Sequence, residues 1–154
     1  MSAGNWSQRL AELGLELPEV VAPLAAYVPA VRSGNLVYTA GQLPMQSGKL
    51  PRDGKVGAEV TADEGKALAR VCALNALAAV HSLVGIDSVV RVVKVVGFVA
   101  SAPGFNGQPG VVNGASELLR EVFGEAGAHA RSAVGVSELP LNAPVEVELI
   151  VEVA

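Results

Sequence analysis

The longest β-forming stretch of the chain is Val89-Val90-Arg91-Val92-Val93-Lys94-Val95-Val96-Gly97-Phe98-Val99-Ala100. Near-continuous β-branched residues predict a strand over residues 87–100, covered on both faces as central strands are. We expect residues 89–100 to be the longest apolar stretch of the chain. Arg91 and Lys94 interrupt it, and it is too short to cross a membrane.

Each side of this strand carries a predicted helix. Upstream, Thr61 and Glu64 have the spacing of a capping box, in which side chains and backbone N–H groups of the first turn bond reciprocally. That helix runs to residue 83 or 84 and ends at Gly85. Downstream, a second helix is predicted over residues 111–123 from its apolar face.

The remaining elements are shorter. We predict strands over residues 27–32, 36–40, 130–138 and 145–153 and a short helix over residues 5–14. The order is β-β-α-β-α-β-β after a helical extension, residues 1–17, within a single α/β (α+β) domain, residues 1–154. Two β-α-β crossovers predict parallel pairing and a mixed sheet.

The last strand alternates between two kinds of side chain. Its odd-numbered positions are all apolar, and its even-numbered positions are Glu146, Glu148, Ile150 and Glu152. Two helices can cover only one face of such a sheet, so a neighbouring subunit is the simplest cover for the other. The low charged fraction, 17% with 51% hydrophobic residues, also favours an oligomer over a merely Ala/Val-rich core.

Bulk composition excludes several function classes. The net charge is −4 with no cluster of Lys and Arg, which disfavours nucleic-acid binding. The one cysteine, Cys72, permits no intrachain disulfide and has apolar neighbours typical of a buried position. The N-terminus lacks the pattern of a signal peptide, so we expect a cytoplasmic protein with no membrane partner.

The inventory of catalytic groups is thin. No metal-ligand spacing, phosphate-binding loop or nucleophile elbow occurs, and we expect no metal site. His81 stands at a predicted helix end, where a cation suits the helix dipole, and an ordinary capping role is favoured. His129 precedes Arg131 by two residues and could edge a site, although an ordinary role is favoured there too.

Arg131 is the strongest candidate for a binding residue. It opens an apolar strand, where a guanidinium needs a carboxylate from a ligand or from the protein itself. The alternative is a structural ion pair with Glu146, Glu148 or Glu152, and spacing alone does not separate the two. A glutamate of that strand that is buried at a subunit contact would have a raised pKa and could handle a proton.

Two segments resemble the markers of a known family. The C-terminal one is Arg131-Ser132-Ala133-Val134-Gly135-Val136, then Leu139-Pro140, then Val145-Glu146-Val147-Glu148. The other is Gly34-Asn35-Leu36-Val37-Tyr38-Thr39-Ala40-Gly41-Gln42-Leu43-Pro44. With Tyr27 and Asn113 also at family positions, the chain resembles the Rid (YjgF) family from about residue 23 to residue 153.

The resemblance implies a chorismate-mutase-like fold and a homotrimer in which the sheets form a central barrel and the helices lie outside. It also implies clefts between subunits in which Arg131 holds the carboxylate of 2-aminoacrylate or a related imine or enamine acid. Glu146 would place or activate water, and hydrolysis would give a 2-keto acid and ammonia without metal or cofactor. Tyr27, Ala133, Asn113 and Gly41 are the further expected substrate-binding residues.

Two features depart from the family pattern. Many deaminase members have Cys where this chain has Ala133, which changes the wall of the pocket rather than removing a nucleophile. The N-terminal extension and the long segment 41–57 are additional. The leading hypothesis is an imine/enamine deaminase, followed by a non-catalytic carboxylate-binding protein and, less favoured, an endoribonuclease.

Overall fold

The computed structural model describes residues 4–23 and 25–154, and all that follows concerns them. The elements are α1 (Trp6–Glu12), β1 (Ala30–Ser33), β2 (Leu36–Thr39), α2 (Ala62–Val84), β3 (Val89–Ala100), α3 (Gln108–Phe123), β4 (Ala130–Val136) and β5 (Val145–Val153). The predicted order of helices and strands is confirmed, and the chain is of the α+β class. Short 3-10 turns precede β3, β4 and β5.

Three bounds differ from the predicted ones for local reasons. Strand β1 begins at Ala30 rather than at residue 27, because Pro29 has no N–H for the strand ladder. Helix α3 begins before residue 111, since Pro109 fits the first turn of a helix, whose N–H groups have no partner there. Strand β4 ends at Val136, opposite the last residue of β3.

The sheet has five strands in the order β1-β2-β5-β3-β4. Only β3 and β4 pair in parallel, whereas β1–β2, β2–β5 and β5–β3 are antiparallel. The crossover through α3 thus joins neighbouring parallel strands. The crossover through α2 joins two strands of the same direction, but β5 inserts between them. Strand β5, not β3, is therefore the centre of the sheet.

Helix α2 begins and ends as the sequence predicts. The Thr61 hydroxyl accepts the Glu64 N–H at 3.1 Å and the Glu64 carboxylate accepts the Thr61 N–H at 3.0 Å. Gly85 ends the helix with a φ of 80°. His81 caps it there, because its Nδ1 accepts the Ile86 N–H at 3.0 Å, and the favoured capping role is confirmed.

Both long helices pack on one face of the sheet. Two glycines permit the close approach: a Cβ at Gly97 of β3 would overlap the Val112 side chain, and one at Gly114 of α3 would overlap the Lys66 carbonyl of α2. The hydrophobic core lies between this helix layer and the sheet. The small residues therefore set the separation of the layers.

The two faces of the sheet differ in how deeply their side chains are buried. The odd-numbered residues of β5 are buried against the helices, and the glutamates and Ile150 between them are only partly buried. On β3, Val95 and Val99 are buried, whereas Val96 and Phe98 on the other face are partly exposed. The prediction that β3 is covered on both faces is thus wrong for a single chain, which covers only the helix face.

Helix α1 docks against the end of α3 and the start of β3. The Trp6 ring meets Phe123 edge to face with centroids 5.0 Å apart, and its Nε1 donates to the Val89 carbonyl at 2.7 Å. Gly14 follows the helix with a φ of 70°, as a C-terminal cap requires. Residues 1–3 of the predicted extension lie outside the described part of the chain.

Helix α2 also meets the length and hydropathy of a membrane-spanning helix, with 56% of its apolar window buried inside the protein. Its 18-residue apolar window is longer than residues 89–100, so the expectation that those residues are the longest apolar stretch is wrong. The helices that form protein cores share these features, and α2 contributes Leu68, Cys72 and Leu77 to this core. Cys72 is fully buried, as predicted.

Candidate functional site

The two residues expected to form the site, Arg131 and Glu146, lie on opposite faces of the sheet. Arg131 pairs with Val95 of β3, and Glu146 pairs with Phe98 of the same strand. Val95 faces the helices and Phe98 faces away from them, and paired residues of adjacent strands point to the same side. One chain therefore presents these two groups in different directions.

The Arg131 guanidinium is held by neutral oxygens of helix α3. Its Nη1 donates to Asn113 Oδ1 at 2.8 Å and to Ser116 Oγ at 3.2 Å, and its Nη2 contacts the Pro109 carbonyl at 3.4 Å. Within residues 4–23 and 25–154, no carboxylate pairs with it. The alternative of an ion pair with Glu146, Glu148 or Glu152 of its own chain is therefore wrong.

Ser116 is itself oriented by His129. The Gly127 carbonyl can only accept, so His129 Nδ1 donates to it at 2.6 Å. The other ring nitrogen, Nε2, is then free to accept the Ser116 hydroxyl proton at 2.8 Å, in the neutral ring. That direction leaves the lone pairs of Ser116 Oγ for Arg131, so the histidine positions the arginine through the serine.

Helix and strand geometry explains this cluster. Asn113 and Ser116 are three residues apart on α3 and therefore share the helix face that overlies β4. Ala133 lies two residues beyond Arg131 on the same face of β4 and packs against the hydrophobic core. Of the predicted residues, Arg131, Asn113 and Ala133 thus come together here. Ser116 was missed, although its spacing from Asn113 could have identified it.

Tyr27, Gly41 and Glu146 come together elsewhere, around a cavity of about 520 Å³. Its walls are residues 21–23 and 27–29, the hairpin β1–β2 and the segment after it, and the turn that carries Leu141. Tyr27 was expected to open the first strand. It lies instead in the bend that precedes β1, at the cavity wall.

Glu146 is the only charged residue that lines this cavity among the residues described. Burial raises the pKa of its carboxyl group, and the neighbouring Glu148 raises it further. No hydrogen bond or ion pair to this carboxylate occurs within the described ranges. Gly41 lies directly against it, because a Cβ at position 41 would overlap Glu146 Oε1.

The cavity and the arginine cluster have complementary chemistry. The cavity offers an unpaired acid that can exchange a proton, and the cluster offers a pre-oriented cation that can bind a carboxylate in a bidentate manner. Within the described residues, no group of three His, Cys, Asp or Glu side chains has the arrangement of a metal site. Arg131 and Glu146 offer anion binding and proton transfer, at two separate places on one chain.

Comparisons with known proteins extend along nearly the whole chain. The family model that matches residues 7–153 is described as "YjgF/chorismate_mutase-like, putative endoribonuclease". Protein TCP17 of Trypanosoma cruzi is 44% identical over 154 residues, which are 99% of this chain and 96% of that protein.

Two further relatives bear on structure and on chemistry. The crystal structure of Atu1372, a protein of unknown function from Agrobacterium tumefaciens, superposes on this chain with a TM-score of 0.89 and 48% sequence identity. The match covers 97% of this chain and 92% of Atu1372. A 2-iminobutanoate/2-iminopropanoate deaminase of Dermatophagoides farinae is 33% identical over 137 residues, 89% of this chain and 93% of that one. The similarity therefore reaches well beyond the short motifs.

Proposed function

The chain belongs to the YjgF/Rid family, and we propose that it is a deaminase that hydrolyses imine and enamine acids of the 2-aminoacrylate type. The products are a 2-keto acid and ammonia. The relative named as a 2-iminobutanoate/2-iminopropanoate deaminase supports this class of reaction. A cytoplasmic location, as expected for an enzyme of amino-acid intermediates, is part of the same proposal.

The observation that carries the proposal is the uncompensated guanidinium of Arg131. Three neutral oxygens hold it in place, but no carboxylate neutralises it among the described residues. A ligand carboxylate would complete the bidentate pair that the guanidinium otherwise lacks. The proposed substrates all have that carboxylate next to the imine carbon.

We further propose that the working site forms between two copies of the chain in a homotrimer. Strand β4 is at the edge of the sheet, and its Val134 is 44% exposed on the face opposite to the helices. Exposed Tyr27, Val28 and Tyr38 surround the cavity with Glu146. Seating β4 of one copy at the mouth of the cavity of the next would bring Arg131 to Glu146 and cover Val134, while the cavity itself stays open to the substrate.

In the proposed reaction, Arg131 binds the substrate carboxylate and Glu146 accepts a proton from water. The water oxygen bonds to the electrophilic imine carbon, the C=N electron pair moves to nitrogen, and nitrogen takes the proton back from Glu146 to give a carbinolamine. Glu146 then takes the hydroxyl proton and passes it to the amino group as the C–N bond breaks, so that the ketone and ammonia form. One imine and one water thus give one keto acid and one ammonia, with no change of oxidation state.

The raised pKa of Glu146 suits this exchange. A carboxyl group whose pKa lies closer to that of its reaction partners transfers a proton in both directions more efficiently. Gly41 keeps the carboxylate accessible, because any larger residue would displace it. Tyr27, Ala133 and Asn113 are proposed to line the completed cleft.

The test is a deaminase assay on imino acids generated in place by an amino-acid oxidase. Wild-type protein should accelerate their hydrolysis, and Arg131→Ala and Glu146→Gln should each lose the effect. The matched controls are Arg120→Ala and Glu152→Gln, which remove the same groups from an exposed ion pair on α3 and from the same face of β5. Equal loss in the controls would contradict the proposed roles.

A non-catalytic carboxylate-binding protein is the second candidate, because the Arg131 cluster needs no other group to bind an anion. In that case wild-type protein would show no turnover, while pyruvate binding measured by calorimetry would disappear in Arg131→Ala. The endoribonuclease in the family description is tested in parallel with RNA, for which the acidic net charge of −4 is unfavourable.

A further inference from the structure

The cavity beside Glu146 is much larger than a three-carbon imino acid requires. Its volume of about 520 Å³ lies in the range of pockets that enclose whole drug-sized ligands. Once the reacting carbon lies near Glu146, most of this space remains for the substrate side chain. The size of the cavity therefore points to a side chain larger than a methyl group.

The residues of the cavity walls indicate which kind of substrate side chain the cavity accepts. Val28, Val31, Tyr38 and Leu141 contribute apolar surface that is more than two-fifths exposed in each case. Side chains of this kind gain free energy when another apolar group removes them from water. Four such residues around one cavity form an apolar wall ready for an apolar ligand group.

Among the described residues, the side chains that line the cavity are neutral except for Glu146. The Thr39 hydroxyl accepts the Leu149 N–H at 3.0 Å, and Gln42 is only 5% exposed. No lysine or arginine lines the cavity among the described residues. A carboxylate side chain would find no cation among these residues, would lie near Glu146, which has the same charge, and would lose its hydration.

Leu141 provides an independent observation. Its backbone has φ 59° and ψ 18°, a left-handed conformation that is uncommon for a residue with a Cβ. Backbone hydrogen bonds from Asn142 N–H to Leu139 O at 3.1 Å and from Gly54 N–H to Asn142 O at 2.9 Å hold this turn. The result is a leucine side chain, 55% exposed, held at the cavity wall, as strained residues at ligand clamps are.

We infer that the cavity selects 2-imino acids with large apolar side chains, of the size derived from leucine, methionine or phenylalanine. This inference rests on the proposed function for the reaction, but it concerns which acid the site accepts. The carboxylate is bound at one end by Arg131, the imine carbon lies beside Glu146, and the side chain extends along Val28 and Leu141.

The first experiment compares kcat/KM for imino acids derived from alanine, 2-aminobutyrate, leucine, methionine, phenylalanine and glutamate. Each methylene buried in an apolar pocket is expected to raise kcat/KM about fourfold, and the leucine compound should exceed the alanine compound on the order of 50-fold. The glutamate compound should be the poorest. A flat series, or one that declines with side-chain size, would overturn the inference while leaving the deaminase proposal intact.

Two leucine variants test whether the preference for large apolar side chains arises in the cavity. Leu141→Ala should reduce the leucine-to-alanine ratio of kcat/KM about fivefold, because the enlarged wall loses contact with the longer side chain. Leu83→Ala is the matched control, since Leu83 is also an exposed leucine, at 45%, but lies at the end of α2 away from the cavity. Equal ratios in the two variants would contradict the assignment.

A binding measurement keeps the inference testable if no imine is hydrolysed. Calorimetry with the stable keto acids should give a lower Kd for 4-methyl-2-oxopentanoate than for pyruvate. That order without turnover would reject the deaminase proposal and still support the ligand class. Equal Kd values, or no binding of either acid, would reject the ligand class, and a changed native mass in Leu141→Ala would then assign the apolar wall to subunit contact.

Discussion

The arginine cluster on α3 and β4 and the cavity beside β1 and β2 handle their charged groups in opposite ways. Arg131 is surrounded by neutral oxygens that fix its direction, whereas Glu146 has no hydrogen-bond partner among the described residues and a pKa raised by burial. Opposite faces of the sheet keep them from pairing within one chain. The comparison teaches that, in a single chain, neither charged group of the proposed site has a partner of opposite charge among the described residues.

The largest expected effect comes from mixing two inactive variants. Arg131→Ala and Glu146→Gln should each lower kcat/KM by 10²-fold or more, in line with roughly 10²–10⁴-fold for general acid–base groups. When equal amounts are unfolded and refolded together, about a quarter of the interfaces would combine intact Arg131 and intact Glu146. Activity of the mixture should recover to about that fraction. No recovery in a mixture that has refolded to the wild-type native mass would contradict a site shared between two copies.

Gly41→Ala tests whether the position of the Glu146 carboxylate in the cavity matters for activity. The added Cβ would overlap the far end of the Glu146 side chain, which can rotate away without disturbing the backbone. We expect a loss of kcat/KM of about 100-fold, as for small misplacements of catalytic groups, with little change in Tm. Gly110→Ala, where a Cβ meets no atom within 4 Å, is the control. Wild-type kinetics in Gly41→Ala would show that Glu146 need not be held there.

Ser116→Ala tests the arginine side. Loss of one oriented acceptor should leave Arg131 charged but less well directed, and raise KM for an imino acid about fivefold with little change in kcat. His129→Gln should behave similarly, because it breaks the bond that orients Ser116, and Ser116→Thr should restore the wild-type KM. A methyl ester of the substrate, which lacks the carboxylate charge, should show no such change. An equal effect on the ester would indicate a general structural defect.

The smallest expected effect is on stability and follows from the raised pKa of Glu146. Its native carboxyl group binds a proton more tightly than in the unfolded chain, so the ionised form opposes folding. Glu146→Gln should therefore have a higher Tm than wild type at neutral pH, and the difference should vanish as pH falls below 4.5, the ordinary value for this carboxyl group. A lower Tm in the variant at neutral pH would mean that a native partner stabilises the carboxylate.

Local patterns predicted the elements well. The capping box at Thr61, the termination at Gly85 and the alternation along β5 all depend on neighbours within a few residues, and the structure confirms each one. Family markers also led to the right family, because they include residues from both halves of the proposed site. The role of Arg131 and Glu146 stays a prediction until the assays are done.

Such short-range patterns could not predict the order and register of the strands in the sheet. The insertion of β5 between β2 and β3 depends on pairing between residues more than 100 positions apart, such as Val37 with Val151. The relation of Arg131 to Glu146 depends in turn on that strand order and on the register of β3 with both neighbours. A period of two fixes which residues share a face of one strand, but not which face of the sheet receives the helices.

The sequence by itself determined the order of helices and strands, the helix caps and the polar and apolar faces of β5, since these follow from backbone geometry and short-range spacing. Only the tertiary structure decided that Arg131 is free of its own glutamates, that His129 directs it through Ser116, and that residues 21–23 and 27–29 line an apolar cavity beside Glu146. Those contacts join segments far apart in the chain, and packing alone brings them together.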